Sequence, residues 1–153
     1  MTNYEKLLAH ATSEGLTVKE LPLQSSDGRI FRNRIAIRQD IETSTEKACV
    51  LAEELGHYYT TVGNILSQDN AWNRKQERQA RLHGYNRLIG LIGIVHAFNA
   101  GCQNKYEIAD FLDVTEEYLQ ECINCYQSKY GICTTVDNYV IYFVPYLTVT
   151  EMI

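Results

Sequence analysis

No stretch of the sequence approaches the roughly eighteen uninterrupted apolar residues of a membrane-crossing helix, which excludes a helical membrane span. The opening Met1-Thr2-Asn3-Tyr4-Glu5-Lys6 lacks the basic and apolar blocks of a signal peptide, so the expected compartment is the cytoplasm. A formal charge of only −5 and an apolar share of 45% rule out a disordered chain, and no internal repeat is present. What remains is an ordinary globular chain of 153 residues, long enough to bury a sizeable core.

Positive charge is scarce in the last third. Residues 101–153 carry only Lys105 and Lys129 against 8 acids, whereas residues 1–100 carry 12 Lys and Arg against 11 acids. Five cysteines form an odd set in a chain without an export signal, and no disulfide is expected. Cys122 and Cys125 lack a second closely spaced pair, which favours buried thiols over a zinc knuckle.

Periodicity supplies the elements. Tyr4, Leu7, Leu8 and Ala11 lie on one helical face before Gly15. Thr17 to Leu21 and Arg29 to Arg38 read as two or three antiparallel strands with one wet, arginine-bearing face. Thr43 or Ser44 caps a helix whose Ala48, Leu51, Ala52 and Leu55 repeat at helical spacing before Gly63. A polar loop from Gly63 to Asn70 leads to a helix from Trp72 to Ile89, and Gly90 to Asn99 continues or follows it, with breaks at Gly90, Gly93 and Gly101. A helix-turn-helix outline then runs from Lys105 to about Tyr130, with a Thr115 cap. Two β-rich runs about Asp137-Asn138 close the chain as a hairpin.

Chemistry concentrates in Glu53-Glu54-Leu55-Gly56-His57. Glu53 and His57 are four residues apart on one helix, so both project toward a common point. In the zinc-protease arrangement H-E-x-x-H, ligands at i and i+4 flank a glutamate that acts as base toward water. Here Glu53 and His57 stand in the ligand places and Glu54 in that of the base.

The segment Lys47-Ala-Cys-Val-Leu-Ala-Glu-Glu-Leu-Gly-His-Tyr-Tyr-Thr-Thr-Val-Gly-Asn-Ile65 resembles the active-site helix of the ImmA/IrrE metallopeptidases, in particular their small phage and mobile-element members. Gly28-Arg-Ile-Phe-Arg-Asn-Arg-Ile-Ala-Ile-Arg38 is similar to the strand before that helix, and Asn73-Arg-Lys-Gln-Glu-Arg-Gln-Ala80 to the segment after it; the likeness spans roughly residues 17–145. The resemblance implies that Glu77 is the third ligand and that Glu54 is catalytic. Its implied fold is α+β and zincin-like: a short antiparallel sheet, an active-site helix, and a helix-turn-helix-like C-terminal part closed by a β-hairpin. Residues 1–153 would form a single metallopeptidase-like domain, with 1–100 as the catalytic half and 101–153 as an acidic subregion.

The family more often has histidine where this chain has Glu53. A Glu53/His57/Glu77 shell is harder and richer in oxygen, so Zn²⁺ remains the expected metal and Mn²⁺ becomes a competitor. His83, Tyr58, Tyr59 and Tyr85 are all candidates for stabilising a developing oxyanion. Arg74, Arg78 and Arg81 form a basic stripe that reads as a solvated helix face.

The implied partner is a protein substrate, typically a helix-turn-helix repressor of a phage or mobile element, whose cleavage relieves repression. Direct DNA binding by the C-terminal part is disfavoured, because its acids face no arginine to neutralise phosphates. The rival reading is a catalytically weak or inactive binding module on the same scaffold that sequesters a regulator.

Overall fold

Residues 1–60 and 70–153 are described by the computed structural model, with side chains 70–73 left aside. The polar loop expected from Gly63 to Asn70 lies outside the described residues, apart from Asn70 itself. The described chain divides into two units, Met1–Arg87 and Leu88–Ile153.

The first unit opens with α1 (Asn3–Ser13), capped by the Thr2 hydroxyl, which accepts from the amide of Glu5. Its buried residues Tyr4, Leu7 and Ala11 fall on one stripe, and Gly15 takes the positive φ of +78° that turns the chain away. Three strands follow: β1 (Thr17–Leu21), β2 (Gly28–Phe31) and β3 (Arg34–Arg38). β2 and β3 form an antiparallel hairpin whose turn uses Arg32 at φ 56°.

β1 pairs with β3 in parallel, where the sequence pattern had suggested an antiparallel partner, and the sheet order is β1-β3-β2. Burial accounts for the strand order. β3 carries Ile35 and Ile37, which are 2% and 0% exposed, and they are best covered when that strand is central. One face of the sheet therefore carries Val18, Ile35 and Ile30 in one row and Glu20, Ile37 and Gly28 in the next.

α2 (Ser44–Thr60) is capped by Thr43, whose hydroxyl accepts from the Glu46 amide at 3.1 Å. Ala48, Leu51, Ala52 and Leu55 are completely buried, and burying each leucine contributes about 1.5–3 kcal/mol. This apolar stripe fixes the helix's rotation, so Glu53, Glu54 and His57 fall on its half-buried flank. α3 (Asn70–Leu88) buries Ala80 and Tyr85.

The second unit holds α4 (Gly90–Asn99), α5 (Lys105–Leu112) and α6 (Glu116–Tyr130). Asn104 caps α5 and Thr115 caps α6, while Asp113 at φ 56° makes the turn between them, so the expected helix-turn-helix outline is present. Gly90 and Gly101 adopt positive φ at the ends of α4, but Gly93 is buried within that helix rather than breaking it. There it faces the Leu112 side chain, at 3.4 Å from where a Cβ would stand.

β4 (Cys133–Val136) and β5 (Tyr139–Tyr142) form the closing hairpin, with Asp137 at φ 52° in its turn. A further strand, β6 (Thr148–Glu151), pairs antiparallel with β5. Its β-branched Thr148, Val149 and Thr150 carried that signal. Leu119, Cys122, Tyr126 and Ile141 are completely buried in this unit's core, and burial pushes the Cys122 thiol well above its ordinary range. The architecture is α+β, and among the described residues no helix is long and apolar enough to cross a membrane.

Candidate metal centre

Two helices of the first unit meet almost without side chains between them. A Cβ placed on Gly56 would stand 2.1 Å from the carbonyl oxygen of Ala80 and 2.9 Å from its carbon. Only the bare Cα of glycine permits this approach of α2 to α3. Glu53 lies one turn before Gly56, and Glu77 lies one turn before Ala80, so the crossing draws both carboxylates to the same side.

There Glu53, His57 and Glu77 each offer one donor atom, and the three donors lie within 4.8 Å of one another. His57 Nε2 is 3.5 Å from Glu77 Oε2. Ligands on a tetrahedral ion with bonds of about 2.1 Å stand about 3.4 Å apart, so small rotamer adjustments would bring all three onto one cation. These are the side chains that sequence reasoning had singled out as ligands, contributed by two separate helices.

The electrostatics also suit a cation. The Glu53 carboxyl is held above the usual carboxylate range, first by burial and then by the hydrogen bond and charge of Glu77. Glu54 is pushed up to about 7 by burial, with the charges of Glu53 and Glu77 adding to it. Three carboxyls thus crowd one another, and a divalent cation among them would relieve that repulsion. Nitrogen and oxygen donors of this kind suit zinc or manganese, so the residues present fit a metal.

Three residues outside the sequence-derived set shape the centre. Arg81 was read as part of a solvated stripe, but its Nε lies 3.3 Å from Glu77 Oε1 and 3.8 Å from Glu53 Oε1. Its i, i+4 spacing from Glu77 was visible in the sequence, whereas the bridge to Glu53 depends on the helix crossing. Gly56 supplies that crossing. Gly28, the first residue of β2, backs Glu54: a Cβ there would come within 3.1 Å of Glu54 Cγ and Oε1 and 2.7 Å of Val50 Cγ1.

The candidate oxyanion residues divide into two groups. Tyr85 is 4% exposed and belongs to the core. Tyr59 stacks on His83 at 5.2 Å between ring centroids, shares a 2.9 Å hydrogen bond with His10 Nε2, and lies under the Arg87 guanidinium. Tyr58 packs edge-on against Tyr59 and remains open to solvent. Burial is the largest influence holding the His83 imidazole below its ordinary pKa, which favours its neutral form.

An α+β scaffold that brings a histidine and two carboxylates together from α2 and α3 has the make-up of a metallopeptidase. Residues 11–124 match the IrrE N-terminal-like domain, Peptidase_M78, and the chain belongs to that family. No curated protein and no solved structure matches it.

Proposed function

We propose that the protein is a divalent-cation-dependent endopeptidase of phage or mobile-element type, in which Glu53, His57 and Glu77 hold the ion and Glu54 is the general base. It acts in the cytoplasm on a helix-turn-helix repressor, and the cut relieves repression. The observation that carries this reading is the convergence of three donor atoms, from helices brought together at Gly56, within 4.8 Å.

A bound zinc ion, or manganese in this oxygen-rich set, supplies Lewis acidity that polarises the scissile carbonyl and acidifies water. Glu54, whose carboxyl is drawn toward neutrality, takes the proton of the attacking water and delivers it to the departing amine. Arg81 holds the Glu53 and Glu77 carboxylates in place through its guanidinium.

Substrate orientation follows from β2. Among the described residues it is an edge strand, and Gly28 brings its backbone against Glu54. An extended linker of the target, added as a further strand, would run past the base. The acids of α5 and α6 are all exposed, which favours encounter with a basic DNA-binding protein. On this reading residues 1–153 act as one metallopeptidase-like domain.

A second reading has a specific observation behind it. Arg81 already neutralises part of the carboxylate pair, so the centre could persist without a catalytic ion and the protein act by sequestering its regulator. Metal analysis, followed by incubation of the element's own repressor with native, Glu54→Gln and His57→Ala proteins, separates the two. Cleavage by the native protein alone supports the peptidase. Derepression by all three without a cut supports sequestration, and a native protein that takes up no divalent ion and cuts nothing refutes the peptidase.

A further inference from the structure

The first sheet has a second face, turned away from α2, that the proposed peptidase chemistry does not use. Strand register sets Lys19, Ala36 and Arg29 side by side across β1, β3 and β2, and sets Thr17, Arg34 and Phe31 side by side one step along. Directly paired residues point to the same side of a sheet and alternate along each strand. These six therefore share the face opposite the buried Ile37, and a cavity of about 510 Å³ lies over it.

Three cations occupy six positions with no carboxylate among them. Among the described residues, Lys19 and Arg34 have no ion-pair partner, and Arg29 donates only to the hydroxyls of Ser25, at 2.7 Å, and Ser26, at 3.3 Å. Other cations of this unit behave differently: Lys47 pairs with Glu20 at 2.7 Å, and Arg38 with Asp27 at 2.7 Å. Confining three uncompensated positive charges to one face costs free energy through their mutual repulsion, which a bound anion would offset.

Neighbouring strands stand about 4.8 Å apart, so the backbones of Lys19 and Arg29 are about 9.6 Å apart with only the Ala36 methyl between them. Both side chains are long enough to close on one anion seated above that methyl, with Arg34 flanking it. Phe31, 70% exposed, lies one strand across and two residues along, about 8 Å from Ala36. The Arg32 guanidinium lies over this ring at 5.3 Å, so a planar ligand group stacking on that face would take the guanidinium's place.

A phosphate over Ala36 and a flat ring against Phe31 belong to one kind of ligand, and we propose that this sheet face binds a nucleotide. A single seat and a single exposed aromatic fit one nucleotide unit. A polynucleotide track would need successive stacking platforms. The inference does not depend on the metal centre, and its test does not read cleavage.

The test is a fluorescence titration of the full-length protein with mant-ADP at physiological salt, with unlabelled ADP and inorganic pyrophosphate as competitors. One saturable site is expected. Phe31→Ala should weaken ADP about tenfold while leaving pyrophosphate within about twofold, because stacking serves only the base. Arg29→Gln and Lys19→Gln should weaken both competitors, and Arg74→Gln, an exposed change elsewhere in the same unit, should weaken neither. All four side chains are exposed, so circular dichroism should find every variant folded.

Absence of saturation up to millimolar mant-ADP would overturn the proposal. So would pyrophosphate competing as well as ADP together with an indifferent Phe31→Ala, which would mark a bare anion patch. Affinity for oligothymidylates that climbs stepwise with their length would overturn it in favour of a polynucleotide track.

Discussion

Replacing Gly56 with alanine tests whether the metal centre is made by the helix crossing. The added methyl would begin 2.1 Å from the Ala80 carbonyl oxygen, against an ordinary contact of at least 3.4 Å. Both obstructing groups are backbone, so no rotamer change can absorb the deficit, and α3 must retreat by roughly 1 Å at that point. Glu77, one turn away on the same helix, would retreat with it and open its 3.5 Å approach to His57. Metal bonds tolerate only about 0.2 Å of error, so the proposed third ligand would be lost or strained and affinity should fall by about a hundredfold.

Stability responds differently. Overpacking costs about 1–3 kcal/mol, but alanine gains about 1 kcal/mol over glycine inside a helix, so the metal-free variant stays folded. At a zinc concentration one hundred times its Kd, the native protein gains about 2.7 kcal/mol, equivalent to about 5–10 °C in Tm, whereas a hundredfold weaker variant gains only about 0.4 kcal/mol. Thermal unfolding with and without zinc, alongside a chelator competition titration, measures both effects. Gly93→Ala, where the new methyl meets Leu112 at an ordinary 3.4 Å, is the control and should keep the full zinc response. If Gly56→Ala binds zinc with native affinity, the crossing does not set the ligand geometry.

Gly28→Ala should press on Glu54 and Val50 without touching the three donors, so peptide cleavage should fall at least tenfold while zinc affinity stays within about threefold; equal losses of both would place Gly28 elsewhere in the mechanism. Chelation of the native protein should lower Tm, and Glu53→Ala, His57→Ala and Glu77→Ala should each remove the zinc-induced rise; a variant that keeps the rise is not a ligand. Lys47 and the Tyr4 hydroxyl hold the Glu20 carboxyl below its ordinary pKa, so this cluster stabilises the fold above pH 4.5 and is lost as pH falls through the lowered value. The pair is partly exposed, so Glu20→Gln should cost about 0.5 kcal/mol at neutral pH and flatten the acid limb of a denaturation profile; an unchanged acid limb would count against the cluster.

Local signals were readable, and partner choices were not. The i, i+4 placement of Glu53 and His57, the Thr115 cap and the Ile35/Ile37 alternation all express interactions within a few residues, and each is found where the sequence put it. The central place of β3 between β1 and β2 is decided by which strand buries its isoleucines best, a comparison that only the assembled sheet can make. Gly56 stood in plain view inside the motif. Its reason for being glycine lies in Ala80, a neighbour in space that no spacing rule connects to it. The wet, arginine-bearing face was foreseen from Arg29 and Arg34, but Lys19 joined it only once β1 took its register.

The free edge of β2 has a consequence for solubility. Among the described residues nothing pairs with the outer edge of β2, and an edge that can receive a guest peptide can equally receive another copy of itself. β2 is only four residues long, with Arg29 inside it and Arg32 immediately beyond, so two copies attempting to pair would bring like charges together. That protection is electrostatic and fades when salt screens it. Concentrated stocks should therefore stay clear in dilute buffer and cloud in strong brine.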